Sequence, residues 1–81
     1  MGGNQKRHYL FVGENRDVLG VWEVDDELAA TKLSLQLALM YPGCKTVSEA
    51  AADFETFKKG YSDYDFDGLE PDRADEVFLA R

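Results

Sequence analysis

The chain is poor in the residues that carry out reactions. Its 81 residues include one histidine, one cysteine, one tryptophan and two prolines. With Cys44 alone there is no intrachain disulfide. No Cys/His spacing suits zinc. A Cys44–His8 pair would need an orienting group and an oxyanion donor, and no motif supplies them. "FVGEN" is a lone glycine turn and not a phosphate loop, so no cofactor is implied. Basic residues are also scarce, nine against sixteen acidic. Without a basic stripe there is nothing to release counterions from phosphates, which excludes direct nucleic-acid binding and an anionic membrane surface. Long apolar runs are missing as well. Tyr9–Gly13 is too short for a secretory h-region, and Leu33–Tyr41 is far short of a membrane span. "MGGNQK" fails the myristoylation pattern at Lys6. These absences describe a cytoplasmic, non-enzymatic protein.

What is present points to a folded chain. Hydrophobic residues make up 44% and charged residues 31%, an ordinary globular balance. Residues 1–81 form one domain, with 1–7 expected to be flexible. A domain of this size buries only about 60% of its chain surface, so the core is thin and association would add burial.

The hydrophobic pattern predicts an α+β fold. "HYLFV" and "VLGVWEV" alternate as strands around the five-residue turn "GENRD". Val18, Gly20, Trp22 and Val24 share one face of the second strand. Gly20 marks a bulge or a close approach. "CKTV" is a candidate third strand. Leu33, Leu35, Leu37 and Leu39 alternate like a strand, yet the run is made of good helix formers and is closed by Pro42-Gly43. A helix from about Asp26 to Tyr41, capped by Asp25, follows. Its apolar residues fall in two stripes. Ala30, Leu33, Leu37 and Met40 form one, and Leu28, Leu35 and Leu39 the other. Such a helix is sandwiched, between the sheet and a second helix or another molecule. "TVSE" (Thr46–Glu49) fits a capping box opening the second helix, which Gly60 ends. The expected architecture is a β-hairpin, or a three-stranded antiparallel sheet, covered by two helices and followed by an acidic segment. Pro71 could open a last helix, or "EVFLA" could form a last strand.

The acidity is local. Residues 46–81 hold ten acidic and four basic groups, and Tyr61–Glu76 alone holds seven acidic and one basic. Within it, "DYDFDG" (Asp63–Gly68) resembles the first half of an EF-hand calcium loop, with Asp63, Asp65 and Asp67 at alternate positions and Gly68 at the turn. Calcium takes six to eight oxygens, and alternate carboxylates can surround it. The resemblance implies calcium binding through those three residues. The second half departs from the pattern, with Glu70 at position eight, Pro71 at nine and Ala74 at twelve.

A different reading needs no metal. Duplex DNA carries one charge per roughly 1.7 Å of axis, and a compact carboxylate patch approaches that density. Such a patch, studded with aromatics, would dock on a basic groove and inhibit a nucleic-acid-handling partner. Small phage and mobile-element inhibitors act this way as DNA mimics. Asp63, Tyr64, Asp65, Asp67, Glu70 and Asp72 are the expected partner-binding residues. A plain solvated loop would account for the charge but not for aromatics at alternate positions. A third reading is a homodimer through Leu28, Leu35 and Leu39.

Overall fold

The computed structural model describes residues 7–73. Strand β1 (Arg7–Glu14) turns through Asn15 and Arg16 into β2 (Asp17–Val24). The turn is two residues rather than five, and Asn15 takes the left-handed conformation, φ 60°. Asparagine tolerates that region better than most residues. Helix α1 (Glu27–Met40) follows, then β3 (Lys45–Ala51), helix α2 (Phe54–Lys59) and a two-residue strand β4 (Asp72–Arg73). The result is a small α+β domain with a four-stranded sheet and two helices, ordered β3-β1-β2-β4. This is one or two strands more than the hairpin or three-stranded sheet expected. β4 pairs parallel with β2 at Trp22 and Glu23.

Strand alternation divides the core in two. Leu10, Val12 and Val24 point to one face and are covered by Ala30, Leu33 and Leu37 of α1. Tyr9, Phe11, Val21 and Val47 point to the other and are covered by Phe57 and Phe66. The two helices therefore lie on opposite faces of the sheet. The expected contact of α1 with α2 does not form, because α2 is drawn to the aromatic side, where Phe54 and Phe57 meet Tyr9 and Phe11. The outer stripe of α1 stays in solvent. Leu28, Leu35 and Leu39 are 66%, 65% and 82% exposed, and Met40 is exposed beside them.

A β-bulge corrects the face assignment in β2. The register shifts between Val12 and Gly13, which pair with Gly20 and Val18, so Leu19 is the extra residue. Val18 thereby moves to the aromatic face and Leu19 is left exposed. Gly20 also provides the close approach. A Cβ there would lie 2.5 Å from the Trp22 ring, which folds back over it.

Two expected caps are also relocated. Asp26, not Asp25, caps α1, its side chain accepting from the Ala29 N–H at 2.8 Å. Asp25 is taken up by ion pairs with Arg7 and Arg73, each at 3.0 Å. Arg7, grouped above with the terminus, is the first residue of β1 and pairs with Ala51. The "TVSE" capping box does not form. Thr46–Glu49 lie inside β3, zipped to β1 with Val47 opposite Phe11. Sheet pairing and burial outweigh a local capping preference. Asp53 caps α2 instead, accepting from the Thr56 N–H at 2.8 Å. The alternative C-terminal helix or strand from Ala74 onward lies outside the described residues.

Candidate protein-binding surface

The acidic segment leaves α2 through Gly60 and crosses to the far edge of the sheet. Aromatic residues fix its path. Phe66 is 7% exposed and meets the Phe11 ring edge-on at 5.1 Å, with Phe54 and Phe57 behind it. Tyr64 meets Phe11 at 4.8 Å and lies against Gly13, where a Cβ would come within 2.9 Å of its ring. Tyr61 meets Phe11 and Phe57. Such edge-to-face pairs each add roughly 0.5–1.5 kcal/mol beyond area burial. Backbone contacts fix the path further. The Asp65 N–H donates to the Arg16 carbonyl at 2.8 Å, within a parallel bridge to Asp17. Asp65 Oδ1 accepts from the Asp67 N–H at 3.0 Å, a local Asx turn. Gly68 has φ +77°, a turn that other residues rarely adopt. β4 then joins the edge of β2.

The alternation thus sorts aromatics inward and acids outward. Asp63, Asp65, Asp67, Glu70 and Asp72 are all exposed. None of the five has an ion-pair partner among the described residues. Tyr64 is half-buried, so much of the ring expected to anchor a partner serves the core instead. Arg73 closes the segment, its guanidinium beside Glu23 and Asp25. Arg7 meets the same two carboxylates from β1. Sequence reading missed this four-residue cluster, because it depends on which strands become neighbours.

The calcium-loop geometry is not assembled among the described residues. No three His, Cys, Asp or Glu side chains come together there as a metal-holding group. Asp65 Oδ1 is taken up by the Asp67 N–H, and the chain runs on as an edge strand where a loop would curl round an ion. The Cys44–His8 pair is not assembled either. Cys44 precedes Lys45, which pairs with Gly13 at one end of β1, and His8 sits at the other. Five residue steps along the strand separate those ends by about 17 Å.

The titration of three side chains reflects their settings. Burial, with the hydrogen bond to Glu49 second, raises Tyr61 to about 12. Burial, then the Glu23 charge, raises Tyr9. The hydrogen bond from the Thr56 N–H holds Asp53 below the usual carboxylate range. No helix among the described residues is long and apolar enough to cross a membrane. Comparison with family models, with curated proteins and with solved structures found no match.

Proposed function

We propose that this domain works by binding another protein in the cytoplasm, without catalysis. Its acidic ridge docks on and inhibits a basic partner that handles nucleic acid, in the manner of a DNA mimic. One observation carries the reading: Tyr64 and Phe66 anchor the segment to the core while Asp63, Asp65, Asp67, Glu70 and Asp72 face solvent. A segment tied down in this way presents charge at fixed spacing, and less ordering entropy is lost when a partner arrives. Carboxylates without ion-pair partners also steer a cationic surface from a distance.

The test is capture from a cell lysate at low ionic strength, comparing the wild type with Asp65→Lys/Asp67→Lys. The reading expects a partner that binds nucleic acid, is displaced by excess duplex DNA and is not retained by the variant. A partner held equally by both proteins, and indifferent to competing DNA, overturns it.

The leucine stripe supports a second reading, a homodimeric interaction protein. Leu28, Leu35 and Leu39 align on one side of α1, on the opposite face of the sheet from Phe66. The two surfaces are compatible within one molecule. The calcium reading gains no support from the described carboxylates.

A further inference from the structure

The two edges of the sheet are treated differently. The outer edge of β2 is covered, by the Asp17–Asp65 bridge at one end and by β4 at the other. The outer edge of β3 has no strand beside it among the described residues. β3 runs seven residues in unbroken register with β1 and contains no proline or bulge. An edge of that length is a template for another strand, and the only blocking device it carries is charge, at Lys45 and Glu49.

We infer that β3 pairs with β3 of a second copy, antiparallel about Val47, joining two four-stranded sheets into one of eight. The charge pattern of "KTVSEAA" selects both the occupant and the register. With Val47 opposite Val47, Lys45 of each copy stands opposite Glu49 of the other. The pairing is self-complementary, and each end of the junction gains one opposite-charge pair. Val47 faces its own counterpart, and Thr46 faces Ser48. β-branched pairs, hydroxyl pairs and opposite charges are favourable cross-strand neighbours. A parallel arrangement in register would instead set Lys45 against Lys45 and Glu49 against Glu49.

The surroundings of β3 suit this occupant. A groove of about 230 Å³ separates β3 from α2, beside Ala52, Thr56 and Gly60. A second, of about 340 Å³, separates β3 from α1, beside Ala30, Thr31 and Ser48. Both are lined mainly by small side chains near the edge, so an added strand meets little obstruction. Lys45 of the second copy lies on the α2 side, where its stem enters the first groove and its ammonium reaches Glu49. Lys45 has no ion-pair partner of its own among the described residues. Thr46 Oγ1 is buried without a hydrogen-bond partner, and the pairing brings a hydroxyl, that of Ser48, opposite it. The junction lies at the opposite edge from the acidic ridge, so both ridges stay open in the dimer.

The test is sedimentation equilibrium of the full chain at moderate salt, from micromolar to millimolar concentration. The wild type is expected to form a dimer. Lys45→Glu, at an exposed position, sets like charges together and weakens the dimer by about tenfold or more, with an unchanged thermal melt at concentrations low enough that both proteins are monomeric. The double swap Lys45→Glu/Glu49→Lys restores it, while removing the Tyr61–Glu49 hydrogen bond within each copy. Amide exchange along β3 is expected to slow as concentration rises. A wild type that stays monomeric throughout overturns the inference. So does a dimer indifferent to Lys45→Glu and abolished by Leu35→Glu, which would place the contact on the leucine stripe. Neither result bears on the acidic ridge, whose test reads capture of a basic partner.

Discussion

Individual residues decide how the acidic segment is held. Phe66 is the centre of that attachment, in contact with Phe11, Phe54 and Phe57. Phe66→Ala should cost about 3–5 kcal/mol, read by denaturant unfolding, because it opens a cavity in a thin core. Gly13 is needed for a different reason. Gly13→Ala would drive a Cβ into the Tyr64 ring at 2.9 Å, with Phe11 at 3.3 Å closing the other side. Overpacking of this kind costs about 1–3 kcal/mol, and Tyr64→Leu in the same chain should recover part of it. Tyr61 supplies a pH signature. Its hydroxyl ordinarily titrates at 10.0 and is raised to about 12 in the fold. The folded state therefore holds the proton more tightly, and that stabilisation is complete below pH 10. It is lost as pH rises towards about 12. Tyr61→Phe should flatten this part of the stability curve measured by chemical unfolding. The alternation of acids and aromatics was legible as a motif, but its direction was not. Whether Tyr64 and Phe66 faced a partner or the core depended on Phe11 lying within reach, and Phe11 is more than fifty residues earlier in the chain.

At the scale of elements, α1 shows what sequence conveys well. Its helix-forming residues, acidic cap and closing Pro42-Gly43 resolved the conflict between periods of two and 3.6, and the observed helix, Glu27–Met40, lies within the expected span. Its inner stripe is in the core except for Met40, which is exposed at the helix end, and Leu33→Ala should cost about 2–5 kcal/mol. Its outer stripe makes a contrast that a melting series can read. Leu35→Ser or Leu39→Ser should change stability by less than about 0.5 kcal/mol, because both side chains are largely exposed in the monomer. α2 and β3 show where local signals mislead. Thr46–Glu49 reads as a helix start, and Asp53 offers an equally good cap a few residues later. Only the seven-residue match of β3 to β1 chooses between them. Likewise, a bulge at Leu19 turns Val18 to the opposite face, and one residue of slip is invisible to a simple alternation count.

At the scale of the whole molecule, charge is distributed by the topology. The chain carries a net −7, and residues 61–73, with five acidic groups and one basic, are folded back along one sheet edge. The cations Arg7 and Arg73 are engaged with Glu23 and Asp25, and Lys58 sits over Phe54 while pairing with Glu55. The carboxylates of the ridge are left facing solvent in one stretch of chain. Self-repulsion of this kind weakens a compact state and is relieved by screening. The most direct check of the proposed ridge is a thermal melt of the full chain at low and moderate sodium chloride, with and without millimolar calcium at matched ionic strength. The account expects the melting temperature to rise with salt of any kind and calcium to add nothing beyond its ionic strength. A rise specific to calcium and removed by Asp63→Ala would contradict it, and would make Asp63, Asp65 and Asp67 ligands of an ion where the account has them awaiting a basic partner.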